Sequence, residues 1–367
     1  MRRSGPRIGA RVGVVVGAAA LAALFVARVQ LGTSSAFDLG IGDAFRALLA
    51  TLGLGDPLPD LDQVVARGRI IDGATAALVG ASLAVSGALL QGLFRNPLAS
   101  PGLVGVTSGA SLGAVLGLLA IGGVTDELLG GRDDLLVAAA SNAPVVVTGS
   151  AFFGALLVAV FVMLLASRGG RVSVPTLLLV GVAVNACLGG ILAAVQDVLV
   201  RDNWGVAQSL FRWLFGSLTD RTAVQVLIAA VGLGLALLAV PLVSRELDLF
   251  AGGEDTASSL GVSVGRTKLL ALGAASISAA TAVSVAGQIA FVGLVVPHLV
   301  RQGFGARHAH VLPLSALGGA VLLLGAECAN LALLGPARLQ PGPVLSLIGG
   351  PFFLGLLLAR RREVATW

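Results

Sequence analysis

The chain has 367 residues, 56% of them apolar and only 12% charged, where average soluble chains carry about 25% charged residues. At about 20 residues per membrane-crossing helix, the apolar residues supply roughly ten spans, which excludes a soluble enzyme. The 24 basic and 19 acidic side chains form no dense Lys/Arg run, so no nucleic acid partner is expected.

Apolar runs set against polar breaks predict ten helices, over 12–31, 69–94, 103–121, 144–166, 175–200, 223–244, 268–287, 289–304, 310–333 and 341–359. Arginines precede the first run, but no small-x-small cleavage site follows it, so it is read as an uncleaved span. The longest outer loop, 32–67, carries Asp38, Asp43, Asp56, Asp60 and Asp62 around an amphipathic stretch, Ile41 to Leu52, expected to lie on the membrane surface. Pro97, Pro101, Pro144, Pro175, Pro313 and Pro341 stand at or near helix starts and breaks, where a missing N–H costs little. Pro297 and Pro351 interrupt apolar runs and predict kinks. Trp204, Phe211 and Trp213, between the fifth and sixth spans, read as interfacial anchors. Gln91 and Gln288 are polar groups near helix ends, suited to facing a pore or bonding across helices.

Fifteen of the 24 cations fall inside if the N-terminus is cytoplasmic, among them Arg95, Arg168, Arg171, Arg245, Arg266, Lys268, Arg301 and Arg307. The positive-inside rule then sets both termini in the cytoplasm. The expected molecule is an all-α polytopic membrane protein with a single transmembrane domain, 1–367. Its cytoplasmic segments are 1–11, 246–267 and 360–367, and 32–67 lies outside. Two stretches, Ala84 to Leu98 and Ala282 to Leu299, each lead from a Gly-containing helix end to a proline and run in opposite directions, as an inverted repeat requires.

Movement of a solute needs a fuel. No GxxxxGK[ST] loop is present to hold phosphates, and Lys268, the only lysine, follows no such loop. Asp72, Asp197 and Glu327, the membrane carboxylates that would couple an ion gradient, all fall near outer helix ends, which disfavours an ion-coupled secondary transporter, the alternative from another class. Cys187 and Cys328 sit in apolar segments with no CxxC, so neither a disulfide nor a thiolate metal site is expected. His298, His308 and His310 fall toward the cytoplasmic side and read as packed or capping rather than as metal ligands. No catalytic, cofactor-binding or metal residue is assigned. The remaining reading is a permease subunit driven by a separate ATPase.

Five blocks carry a resemblance: GASLAVSGALLQGLFRNPLASPGLVGVTSG from Gly80 to Gly109, FRWLFGSL from Phe211, SSLGVSVG from Ser258, GQIAFVGLVVPHLVR from Gly287 to Arg301, and PGPVLSLIGGPFFLGLL from Pro341. In this order they resemble the permease subunits of bacterial ABC importers for ferric siderophores, haem and vitamin B12. That resemblance implies a type II importer permease of ten helices in the bacterial cytoplasmic membrane, in contact with lipid. Its partners would be a second permease, two ABC ATPase subunits that use ATP and Mg, and an extracytoplasmic binding protein, with an iron-siderophore complex as substrate. Vitamin B12 or haem is the alternative cargo.

By the same resemblance Glu254, Asp255, Thr256, Ala257, Ser258, Ser259, Leu260 and Gly261 form the ATPase-coupling loop. Gln91, Asn96, Pro97 and Leu98 belong to the gate or pathway, together with Val174 and Pro175, which replace the small polar residues of the B12 permease. Arg69 would dock a carboxylate of the binding protein, with Arg67 compensating for two family arginines replaced here by Asp72 and Asn330. Those replacements tilt the expectation toward a heterodimer of permeases.

Overall fold

A computed structural model describes residues 9–32, 39–51, 53–54, 59–123, 133–168, 171–202 and 204–359. The predicted cytoplasmic end 360–367, most of 1–11, and Asp38 and Asp56 of the outer loop lie outside the described residues. Among those described, the chain forms α1 (Ala10–Gln30), α2 (Ile41–Thr51), α3 (Asp60–Phe94), α4 (Val106–Gly123), α5 (Asp133–Ala166), α6 (Val174–Asp202) and α7 (Trp204–Leu214). It continues with α8 (Ala223–Phe250), α9 (Glu254–Ser259), α10 (Val264–Ala286), α11 (Val292–Phe304), α12 (His308–Leu334) and α13 (Pro341–Ala359). Two-residue strands, β1 (Ser167–Arg168) and β2 (Arg171–Val172), pair between α5 and α6.

Seven helices, α1, α3, α5, α6, α8, α10 and α12, are long and apolar enough to cross a membrane, and α4 and α13 are shorter apolar helices. The eighth expected span corresponds to α11, a 13-residue helix that carries Pro297 inside it. α2 and α7 are short amphipathic helices beside them. α2 seats Ala44 and Ala47 in a small core with Val29 of α1 and Ala66 of α3. α7 buries Ala207 and Leu210 with Val115 of α4 and Leu192 and Leu199 of α6. Of the expected interfacial anchors, Trp204 is 63% exposed and Trp213 is buried.

Boundaries differ from the sequence expectation in instructive ways. α3 starts at Asp60 rather than 69, because the polar turn at 60–68 has no proline or glycine pair to stop a helix. α5 starts upstream of Pro144, which it carries as an internal proline; a helix can bend there at the loss of one backbone bond. α8 runs on to Phe250, six residues past its apolar run, because Leu247 and Phe250 remain buried. Its start is set by a capping box in which Thr222 and Gln225 satisfy each other's backbone N–H groups.

The centre of the bundle is α3 and α10, whose spans are 83% and 78% buried, whereas α1 and α6 are each 11% buried at the periphery. Small residues allow this. Gly87 of α3 meets Gly293 of α11 so closely that a Cβ on Gly87 would strike the backbone of Gly293, and a Cβ on Gly293 would strike Leu83 O of α3, the close approach that small residues give membrane helices. Hydroxyls knit α3 to α10: Ser86 Oγ donates to Ala275 O (2.7 Å) and Ser278 Oγ to Ser82 O (2.9 Å).

Near the C-terminal end of α1, Arg28 donates to Asp72 of α3 at 3.1 Å, with both side chains buried or nearly so. Removing one partner strands the other charge away from water. Asp72→Ala should therefore cost about 3 kcal/mol, read as a lower melting temperature of the purified protein in detergent, while Asp72→Asn keeps an acceptor and should lose less.

Candidate functional site

Two non-helical segments meet inside the bundle. After α3 the chain does not leave the membrane region at once. Arg95 takes a left-handed conformation (φ 51°), and Asn96 Oδ1 accepts from Leu98 N at 2.9 Å to close a turn. Pro101–Val104 then forms a 3-10 turn with Pro101 and Val104 buried. The second segment is Gly287–Phe291, between α10 and α11, where Phe291 also lies in the left-handed region (φ 67°). Gly293, just beyond it, touches both Gly87 and Pro101. Gly87 stands eight residues before Arg95 on α3, about 12 Å along the axis, so the junction lies well inside the membrane.

Irregular backbone at that depth persists only where it is buried in protein or lines a wet cavity. Here the protein itself supplies partners. Asn185 of α6 donates to Gly102 O at 2.8 Å and accepts from Ser108 Oγ at 2.7 Å, and Gln288 Nε2 donates to Ser111 Oγ at 2.6 Å. Between the segments is a cavity of about 290 Å³, to which Leu83, Ser100, Thr107, Gln288 and Phe291 contribute. Its polar groups are uncharged. Among the gate residues expected from sequence, Asn96 is half-buried while Pro97 and Leu98 are exposed at the inner end of α3. Asn96 acts as an acceptor for the turn, rather than as a donor to freed helix carbonyls. Gln91 faces neither this cavity nor open solvent. It is buried, and its Nε2 donates to Gly293 O (3.3 Å) and Leu294 O (3.2 Å) while its Oε1 accepts from Arg301 Nη1. Gly293 O is the carbonyl deprived of its helical partner by Pro297, so Gln91 repairs the proline break from the neighbouring helix.

The segment after α8, expected from the sequence to be cytoplasmic, has a different character. α9 buries only Ala257 (0% exposed), whereas Asp255, Thr256, Ser258, Ser259, Leu260 and Gly261 are exposed. Leu260, a large apolar side chain, is 62% exposed there. The segment is nevertheless held rigidly, because Glu254 Oε2 accepts from Lys268 Nζ at 2.7 Å and the same ammonium donates to Val172 O, also at 2.7 Å. Lys268 is buried. One cation therefore ties α9 to the β1–β2 hairpin, two residues before Val174 and Pro175, which begin α6 half-buried and exposed respectively. Sequence reasoning missed this residue. The signal available was that the chain's only lysine stands in a helix-start position, 14 residues after a glutamate.

On the face expected from the sequence to be outer, Arg67 is exposed. Arg69 is buried, and its Nη1 donates to Val29 O (2.9 Å) and Gln30 O (2.8 Å), closing the end of α1. The two positions where family arginines are replaced are occupied within the chain. Asp72 holds Arg28 and accepts from Arg221 N (3.3 Å), and Asn330 exchanges hydrogen bonds with the backbone of Leu339 (2.7 and 3.1 Å). Burial pushes the Arg221 guanidinium below its ordinary value, and Asp72 and Asp220 beside it pull it back.

The three carboxylates that would serve ion coupling do not form one cluster: Asp197 stands apart, while Asp72 and Glu327 both lie in the field of Arg28 and Arg338. Asp197 pairs with Arg201 one turn away on an exposed surface (2.6 Å), Asp72 pairs with Arg28, and Glu327 faces Arg338 at 3.7 Å. Of the histidines, His308 lies against Asp248 (Nδ1 to Oδ1, 2.6 Å) and His298 against Gln302 (2.8 Å). Among the described residues no three of His, Cys, Asp and Glu gather as a metal site would require.

Comparison with known proteins places this geometry. The profile of the FecCD transport family matches residues 15–360. The cobalamin import system permease protein of Halobacterium salinarum is 42% identical over 301 residues, covering 81% of this chain and 72% of that protein. The hemin transport system permease protein of Yersinia pestis is 38% identical, covering 78% and 81%. The Fe(3+) dicitrate transport system permease protein of Escherichia coli is 37% identical, covering 78% and 82%. A solved inward-facing structure of an ABC transporter described as metal-chelate type superimposes with a TM-score of 0.76 at 25% identity, over 96% of this chain and all of that one.

Proposed function

The chain belongs to the FecCD transport family, a family of ABC-importer permeases, and from that premise we propose that it forms half of the membrane pathway of an ATP-driven importer for a metal chelate. The observation that carries this reading is the exposed α9, offered to the cytoplasm with Leu260 bare and braced from behind by Lys268. A rigid projection whose outward face no described residue of its own chain covers suits a docking lever. Two ABC ATPases would grip it, and their ATP-driven closure would move α9, the hairpin and the start of α6 together. The side chains at the inner ends, Asn96, Pro97 and Leu98 with Val174 and Pro175, would then open or close the path. No bond in the cargo breaks, so the chain needs no catalytic residue, and ATP and Mg belong to the ATPases.

The junction cavity of about 290 Å³ is at the lower edge of the size of small-ligand pockets, about 300–1,000 Å³. A siderophore or tetrapyrrole is too large for it, which supports a pathway completed by a second permease. The uncharged lining suits transit rather than tight capture. With Asp72 and Asn330 engaged inside the chain, a binding protein would meet Arg67 and whatever the second permease supplies, which favours a non-identical partner. We assign an iron siderophore as the cargo from the family's range. Cobalamin is the second reading, favoured by the identity to the Halobacterium permease. The site would be a bacterial cytoplasmic membrane, with the described spans surrounded by lipid.

The test is purification of the tagged chain from its own membranes in mild detergent, with mass spectrometry of co-purifying subunits. Uptake in reconstituted vesicles is then competed by ferric siderophore, haem and cobalamin. An ATPase pair and ATP-dependent uptake are expected. The combined variant Asp72→Asn, Asp197→Asn, Glu327→Gln should retain ATP-driven uptake that is indifferent to collapse of a proton gradient. Uptake by the chain alone that follows the gradient would instead establish an ion-coupled carrier.

A further inference from the structure

Beside α9 on the cytoplasmic side is a second, larger cavity of about 720 Å³, bounded by the inner ends of α3, α8 and α11 and the start of α12. Three arginines converge on it: Arg95, Arg301 and Arg307. They are not equivalent. Arg301 is half-buried and engaged, donating to Gln91 and to Ala88 O. Arg95 and Arg307 are exposed, and among the described residues neither side chain has a hydrogen-bond or ion-pair partner. The one carboxylate in the cavity wall, Asp248, is already spent on His308, accepting from its backbone N (2.9 Å) and lying 2.6 Å from its Nδ1. His308 itself is more than nine-tenths buried, and its Nε2 faces Gly92 in the cavity wall with no partner. The cavity thus has three guanidiniums against one carboxylate, a net positive field, and an unsatisfied polar atom in its wall.

We infer that this cavity receives an acidic side chain from the ATPase subunit, a second anchor beside α9. The inference rests on the importer reading above. Two observations select this occupant over a lipid headgroup. The cavity opens at the cytoplasmic end of the most buried helix, α3, away from the peripheral helices that meet lipid. It is also continuous with α9, since a Cβ on Gly253, the residue preceding α9, would stand 3.9 Å from Arg95 Nη1. A subunit that grips α9 therefore covers the cavity mouth. Cations at an interface draw an acidic partner in and fix its register, and a planar guanidinium can hold a carboxylate by two parallel bonds.

The experiment uses the complete complex. Arg95→Lys and Arg307→Lys keep the charge and introduce an amine, which a zero-length carbodiimide joins only to a carboxylate in direct contact. An amide link between the introduced amine and an Asp or Glu of the ATPase, located by mass spectrometry, is expected. The reversal Arg95→Glu with Arg307→Glu should lower the ATPase retained per permease about tenfold, with an unchanged permease elution profile showing that the fold survives. Two results overturn the inference while leaving the importer reading intact: an intact complex in which neither amine links to the ATPase, or a phospholipid seen on the unaltered permease by native mass spectrometry and lost on reversal while ATPase retention holds. Absence of any ATPase from the unaltered preparation would remove both readings together.

Discussion

Replacing Lys268 with methionine should leave the ATPases bound and hydrolysing ATP while uptake falls about tenfold, within the 1–3 kcal/mol typical of coupling between sites. Methionine keeps the length and apolar body of the side chain, so the packing at the start of α10 is preserved. What disappears is the ammonium that holds Glu254 of α9 and Val172 O of the hairpin at once. Glu254 is 39% exposed and can take water instead, so the fold should tolerate the loss. Docking relies on exposed side chains of α9 that Lys268 does not touch. Transmission is another matter, because without the link α9 and the start of α6 are joined by no direct polar contact and only through the shared core and the backbones of α8 and α10. The quantity to measure is ATP hydrolysed per cargo molecule moved by the reconstituted complex, which should rise as uptake falls. Lys268→Arg, which retains a cation, should recover part of the coupling. An unchanged ratio in Lys268→Met would mean that the link carries no motion.

Much of the fold was legible in the sequence because the membrane imposes a length scale. A run of apolar residues that must satisfy its own backbone is a helix, and the loop arginines set direction. The amphipathic stretch at 41–52 was legible for the same reason, its apolar residues recurring at helical spacing. What escaped were features made by contact rather than by pattern. The start of α11 moved to Val292 because Gly287–Phe291 is held irregular by Ser111, 177 residues away in sequence. Lys268 looked like one more cytoplasmic cation until its two acceptors, 14 and 96 residues distant, were in place. Arg69 matched a docking position by alignment, yet its guanidinium closes the end of α1, a use that depends on where α1 stops. The resemblance proposed a coupling loop and a gate. It could not state which side chains brace them.

Gln91→Leu should lower stability by about 2–4 kcal/mol and reduce uptake in proportion to the permease lost. Two opposing considerations set the size. Hydrogen bonds between membrane helices average only about 0.6 kcal/mol in double-mutant cycles, because the unfolded-in-membrane chain also finds partners. Gln91, however, serves three groups at one buried point: the carbonyl of Gly293 freed by Pro297, the carbonyl of Leu294 beside it, and the guanidinium of Arg301. Leucine fills nearly the same volume, so no large cavity arises, and the loss is that of polar groups left unpaired. Arg301 keeps its bond to Ala88 O, which moderates the cost. The double variant Gln91→Leu with Arg301→Leu decides between the two sources. If the stranded guanidinium dominates, the double variant recovers a large part of the melting temperature. If the carbonyls dominate, it recovers none, and α11 should instead show faster amide exchange around Gly293. A single variant as stable as the native chain would mean that the α3–α11 contact is held by the Gly87–Gly293 approach alone.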